Sequence, residues 1–473
     1  MKKETTGSTV YKIGMAFYAV VLLFAILFYL ERAAFVDISF HLFFILKDQT
    51  FAIQNFRVVA FFTQLFPLIG SKLHLDLKTI TILYTTSFVL LQGLVFFIVV
   101  HVLKSWRLGL CLLFLHSTVL THTFYWIQSE YQQGLPLLIL LFAIAQHIPT
   151  LEPTNRKTTW IYGMAILSFF VAFSHPLILF PATFMFLFFM LQDWKNKSVY
   201  IYPYSSFLIF YSIKYFLFKT GYDAKSMEGM DNLFLYFPNY FTLPSNIIFL
   251  QYWLKDYYGI LILMMVLCAV YGIDKQYFKA FFVVSFTVAY VLFINICYAK
   301  GADQFYIENM YLPVGLYLGM AIAYDVVDRI HWRYVWPLIA LFFGIRLAHI
   351  YSTHTLYTNR LQFLESVILQ MDKAPQKKNL IETTPDIKST LIMDWATSYE
   401  IWLLSTIKRK ATSSIIITDN IKTLDWTLHH NKKFVTKWGA FDYSDFNSNP
   451  YFNFSDTSYY RKIDGKEVRL SNE

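Results

Sequence analysis

Long apolar runs separated by short polar connectors fill the chain as far as about residue 350, after which the pattern breaks up. Each run approaches the ~20 residues that a helix needs to cross a bilayer. The pattern predicts eleven crossings, over 13–30, 79–100, 108–125, 134–149, 160–173, 176–191, 199–218, 260–273, 280–298, 311–326 and 335–350. As one straight helix, 160–191 would run about 48 Å, well beyond a ~30 Å hydrocarbon core. Pro176 removes a backbone donor and biases His175 away from helix, so a break belongs at Ser174-His175-Pro176.

Three segments lie outside this pattern: 31–78, 219–259 and the tail, 351–473. In the first, Val36 to Lys47 and Gln54 to Leu68 carry Phe, Leu and Ile with spaced polar residues, which predicts two helices lying in the interface. Helical geometry would place Asp37, His41 and Asp48 on one face, and Gln54, Arg57 and Gln64 on another. Gly221, Gly229, Pro238 and Pro244 among many aromatics predict a loop over 219–259 that dips into the interface. In the tail, Leu391-Ile392-Met393 and Ser414-Ile415-Ile416-Ile417 read as short strands flanking a helix near 398–410. The expected fold is a polytopic α-helical membrane protein of about eleven transmembrane helices over 1–350, with interfacial helices in the first outer loop and a small C-terminal α/β soluble domain over 351–473.

Composition agrees: 56% of the residues are hydrophobic and 15% charged. The net charge of +9 is no nucleic-acid footprint, because Lys and Arg fall largely in short connectors, where the positive-inside rule expects them. With the N-terminus inside, Lys104 and Arg107, Arg156 and Lys157, Lys195 and Lys197, Lys275 and Lys279, and Arg329 and Arg333 are cytoplasmic. The opposite connectors, 126–133 and 174–175, hold no Lys or Arg, so the tail is expected outside. The first run follows Lys2, Lys3 and Lys12 like a signal sequence, but its exit lacks a small-residue cleavage site, so it reads as an uncleaved anchor. Cys111, Cys268 and Cys297 lie in apolar segments and offer neither a disulfide framework nor zinc spacing.

The informative polar residues gather beside the outer connectors, which points to a shared cavity. Asp37, just past the first crossing, can accept a proton from a hydroxyl nucleophile, or simply pair with Arg32 or Arg57. Asp37 and His41, four apart on a helix, can also share a divalent metal. Arg57, Lys300 and Arg346 are candidates for an anionic headgroup, with snorkelling or pairing to Glu308 and Asp303 as the plain alternative. Glu130 and Gln133 in a compact polar turn, His175 before Pro176, and Glu308 complete the set.

This layout resembles the GT-C superfamily of polyprenyl-phosphate-dependent membrane glycosyltransferases. The matching residues are Glu31-Arg32-Ala33-Ala34-Phe35-Val36-Asp37, the amphipathic stretch 38–68 and the outer tail. Many members carry paired acids in that loop, whereas Asp37 has no acidic neighbour and Asp48 lies eleven residues on. The resemblance implies inverting transfer of a sugar from a lipid-phosphate donor to a lipid, glycan or protein acceptor at the extracytoplasmic face of a membrane, expected to be a bacterial inner membrane. Asp37 would be the general base; Arg57, Lys300 or Arg346 would hold the donor phosphate; His41, Glu130, Gln133, His175 and Glu308 would position substrate. Two rivals stand beside it. A transporter or lipid flippase would place charges near the midplane and often show repeats, neither of which is evident; a non-catalytic envelope assembly protein would use the tail as its docking domain.

Overall fold

The computed structural model describes residues 2–127, 129–151, 155–373, 376–446 and 449–468; the end of the expected tail, 469–473, lies outside the described residues. Among the described residues, five helices are long and apolar enough to cross a membrane: Thr6–Leu27, Leu77–Val102, Glu130–Thr150, Tyr277–Cys297 and Arg333–Asp372. Two bent pairs, Pro176–Gln192 with Trp194–Leu217 (119°) and Pro244–Lys255 with Tyr258–Ile273 (84°), raise the number to seven if each pair is one span. The chain is thus mostly helical, with five to seven candidate membrane spans among the described residues where the hydropathy pattern predicts eleven.

The differences have local causes. The third predicted crossing is helical only over Trp106–Leu115, and residues 116–127 continue as largely buried irregular chain with a short turn of 3-10 helix at His122–Phe124. The helix Asn155–Ala172 is apolar over a shorter stretch, Lys157–Ala172. Gln304–Ala321 opens with Gln304, Glu308 and Asn309 and is not among the apolar spans. The break before Pro176 falls where expected: the preceding helix ends at Ala172, and His175 is extended (φ −153°, ψ 146°).

The segment after the first span forms the helix Asp37–Asp48, a loop, and the helix Phe61–Lys72. Residues 54–57 form a turn instead of the start of a helix, so Gln54, Arg57 and Gln64 share no helical face; Gln64 instead clips the turn, accepting from Ala52 N–H at 2.8 Å. The stretch 219–259, predicted as a loop, is a string of short helices ending in Pro244–Lys255.

The tail begins with the helix His354–Asp372 and contains a parallel sheet, β1 (Asn379–Glu382) between β2 (Ile415–Thr418) and β5 (Arg461–Ile463), beside an antiparallel hairpin, β3 (Lys433–Thr436) and β4 (Gly439–Asp442). β2 and the helix Thr397–Arg409 lie close to their expected places, but Leu391-Ile392-Met393 is no strand. Thr384 caps, and Pro385 opens, a short helix that runs to Leu391, and Ile392 turns out of it with φ 63°.

The tail is fastened to the first-loop helix through a common core. Phe43 inserts among tail rings, with centroids 5.0 Å from Tyr399, 5.2 Å from Trp402 and Phe452, and 5.4 Å from Phe434. Edge-to-face and stacked contacts of this kind add to area burial. Two hydrogen bonds lock the register: Asn449 Nδ2 donates to Leu46 O at 2.8 Å, and the Tyr451 hydroxyl to Leu75 O at 3.0 Å.

Candidate functional site

Between the helical bundle and the tail lies a cavity of about 790 Å³. The bundle side contributes Asp37, His41, Arg57, Trp126, Glu130 and His175. The tail side contributes Trp395, Tyr399 and the hairpin residues Thr436, Lys437, Trp438 and Gly439.

Asp37 is the first residue of its helix, where a carboxylate is favoured by the macrodipole. The residue before it is strained. Val36 is β-branched yet has φ 39° and ψ −109°, a conformation that costs on the order of 1–3 kcal/mol and persists only when its surroundings impose it. The tail supplies the restraint. Glu400 accepts the Val36 N–H at 2.7 Å, and Arg360 pairs with Glu400 at 2.5 Å while donating to Ala34 O at 2.6 Å and Leu391 O at 2.7 Å. Both charges are buried, and each is satisfied by the other and by backbone, the condition under which a buried pair is tolerated.

Trp126 Nε1–H donates to one Asp37 oxygen at 2.6 Å. Burial pushes the Asp37 carboxyl up to about 7; Glu130 nearby adds to the rise, while the Trp126 hydrogen bond and Arg57 oppose it. A carboxyl with that affinity is divided between acid and base near neutrality, as a general base requires.

Arg57 donates to Glu130 Oε2 at 3.1 Å, approaches Asp223 Oδ1 at 3.5 Å, and lies 5.3 Å from the centre of the Tyr222 ring. Glu130 opens its helix behind the cap Ser129, whose hydroxyl accepts Tyr131 N–H at 3.2 Å. His175 accepts Leu177 N–H through Nδ1 at 3.2 Å and stacks on Tyr131 at 4.6 Å. The Nδ1 of His41 lies 2.9 Å from Ala52 O, and burial holds this imidazole below its ordinary value, toward the neutral form.

Asp37, His41, Arg57, Glu130 and His175 therefore meet at one cavity, and the other four predicted residues do not line it. Gln133 lies buried behind it, accepting from the Thr63 hydroxyl at 3.1 Å. Lys300 is exposed in a turn away from the cavity. Arg346 is fully buried and donates to Ser117 O (2.8 Å), Asp256 O (2.6 Å), Leu120 O (3.2 Å) and the Thr121 hydroxyl (2.8 Å). Glu308 accepts from the N–H groups of Thr121 (2.6 Å), His122 (3.1 Å) and Thr123 (2.8 Å), and from the Thr123 hydroxyl at 2.6 Å. Arg346 and Glu308 thus support the irregular chain after Leu115 and have little left to offer a ligand. For the metal reading, Asp37 and His41 share the cavity, but no group of three His, Cys, Asp or Glu side chains suited to an ion occurs among the described residues.

Sequence reasoning passed over Asp223, Lys214, Trp126 and the tail residues of the cavity. Asp223 sits in the long loop, where nothing marked it apart from other acids. Lys214 falls in an apolar run at the loop's edge, and an intramembrane lysine is a signal that could have been read. It is fully buried, and its Nζ, like Arg57 Nε and Asp223 Oδ2, has no hydrogen-bond partner among the described residues. Unsatisfied buried polar atoms of this kind are uncommon in folded proteins.

No family model matches the chain, and no curated protein or solved structure is detectably similar to it.

Proposed function

We propose that the cavity is the active site of a membrane glycosyltransferase that moves a sugar from a polyprenyl-phosphate donor to a hydroxyl acceptor at the extracytoplasmic face. The observation that carries this reading is Asp37, a carboxyl titrating near 7, facing a cavity shared by bundle and tail and held by a strained, doubly anchored backbone. The acceptor hydroxyl gives its proton to Asp37 as its oxygen bonds to the anomeric carbon. The bond from that carbon to the phosphate oxygen breaks, and the phosphate leaves with the electron pair, so the configuration inverts. A cation beside a low-dielectric wall stabilises the departing charge. Arg57, anchored by Glu130, is the bundle residue placed to do so. His175 and His41 orient substrate by hydrogen bonding.

The position of the cavity at one end of the bundle, under a folded tail, favours this reading over a transporter, whose charged groups belong near the midplane. Asp37→Asn keeps shape and hydrogen-bonding reach while removing the base. Transfer of radiolabelled sugar from a polyprenyl-phosphate donor is expected to fall by roughly 10²–10⁴ in kcat, the usual contribution of a positioned base, with membrane insertion unchanged. Full activity in that variant would refute the assignment.

A further inference from the structure

The bundle side of the cavity is poorly equipped to receive a phosphate alone. Among the described residues, the one Lys or Arg that lines it from the bundle, Arg57, is engaged by Glu130 and Asp223, Asp37 adds a further carboxylate, and Lys214, buried beside that group, does not line the cavity. Lys300 and Arg346, the other cations expected to hold the donor phosphate, lie elsewhere. An incoming phosphate, carrying one to two negative charges, would meet more carboxylates than free donors. Among the described residues lining the cavity, one other cation remains, and it comes from the tail: Lys437.

Lys437 and Trp438 form the two-residue turn between β3 and β4. The base of this hairpin is fixed, because Phe434 is buried and Phe434 and Phe441 both contact Phe43 of the first-loop helix, at 5.4 and 5.5 Å. Thr436 Oγ1 donates to Gly439 O at 3.0 Å across the turn. A rigid hairpin therefore carries its tip to the cavity mouth on the same helix that bears Asp37. Lys437 is about one-third exposed, and its nearest carboxylates, Asp394 at 3.7 Å and Asp419 at 3.9 Å, lie beyond hydrogen-bond length. Both are long ion pairs, so neither carboxylate holds an ammonium proton in a hydrogen bond. Trp438, 62% exposed and edge-to-face on Trp395 at 5.6 Å, gives the same mouth an apolar wall.

We propose that Lys437, at the tip of the tail hairpin, is the residue that binds the phosphate of a lipid-linked substrate in this cavity, completing from the tail a charge that the bundle lacks. The inference rests on the proposed transferase reading and gives the tail a part in it as substrate-binding element. Lysine acts here as a mobile point charge, able to follow the phosphate as charge builds on it.

The test is equilibrium binding to the full-length protein in neutral detergent, with radiolabelled farnesyl phosphate, farnesol and inorganic phosphate as probes. Wild type is expected to bind farnesyl phosphate more tightly than farnesol, with the advantage shrinking as salt is raised. Lys437→Ala should weaken farnesyl phosphate binding roughly tenfold, the scale of one partly exposed charge-assisted hydrogen bond, and leave farnesol binding unchanged. Lys437→Arg should retain most of the advantage. Because the turn is exposed, melting temperature is expected to be the same for all three proteins. A phosphate preference that survives Lys437→Ala overturns the assignment while leaving the transferase reading intact. Equal binding of farnesyl phosphate and farnesol by wild type overturns both. Inorganic phosphate that abolishes farnesyl phosphate binding at equal concentration would mark a free-anion site and overturn the lipid-linked form of the proposal.

Discussion

Two buried polar clusters in this protein use the same residue types to opposite ends. Around Arg346 and Glu308, the guanidinium donates to three backbone carbonyls and a hydroxyl, and the carboxylate accepts from three backbone N–H groups and two hydroxyls. Around Asp37 and Arg57, a carboxyl near neutrality faces a cavity, and buried atoms of Arg57, Asp223 and Lys214 lack partners among the described residues. The contrast teaches that charge and burial alone do not mark function. What separates the clusters is whether their hydrogen-bonding capacity is spent on the protein's own backbone.

That comparison can be broken from either side. The largest stability loss is expected at Arg346→Leu, which leaves several carbonyls and the Thr121 hydroxyl without a donor; about 3–5 kcal/mol, the usual cost of removing one member of a buried charged network, would appear as loss of the folded protein from a detergent-stable fraction. Glu308→Gln, nearly isosteric, turns an amide NH2 toward a backbone N–H and should cost about 1–3 kcal/mol, read as a lowered melting temperature. Glu400→Gln tests the link between tail and site: it leaves Val36 less firmly held, so kcat should drop roughly tenfold to a hundredfold, with KM moving less. A drop in stability without a change in kcat would make the Arg360–Glu400 pair a simple anchor. Lys300→Ala, outside both clusters, should change neither activity nor stability.

Asp37 allows a sharper test of sign. Its carboxyl is raised in the folded protein, so its neutral form contributes stability that is fully present below about pH 4 and is lost as pH rises through about 7. Asp37→Asn, neutral throughout, should therefore melt above wild type at pH 8, by less at pH 5, and together with it below about pH 4. Stability sacrificed at a working group is the usual cost of a site built for chemistry.

Much of the cavity could be read from the chain. Asp37, His41, Arg57, Glu130 and His175 stand beside connectors, and the pre-proline break at His175 is a local steric effect that tertiary structure does not override. The misreading of Arg346 and Glu308 has one origin. The apolar run 108–125 predicts a helix whose backbone satisfies itself, but the helix stops at Leu115, leaving groups from Ser117 to Thr123 that those two side chains serve. Hydropathy reports burial and is blind to this. In the tail, Thr384-Pro385 is a helix start that could have displaced the strand predicted at Leu391-Ile392-Met393. The cavity's tail wall was out of reach for another reason: Trp395, Lys437 and Trp438 meet Asp37 only because Phe43 docks in the tail, a contact across hundreds of residues that no local pattern encodes.

The central claim is that Asp37 is a base poised near neutrality in a shared active-site cavity. The measurement that tests it most directly is the pH dependence of kcat for sugar transfer from a polyprenyl-phosphate donor, in wild type and Asp37→Asn. The account predicts a wild-type rate that climbs with pH to half its plateau near 7, and a residual rate in Asp37→Asn with no such limb. A wild-type profile flat from pH 5 to 8, or the same limb surviving in Asp37→Asn, would contradict it.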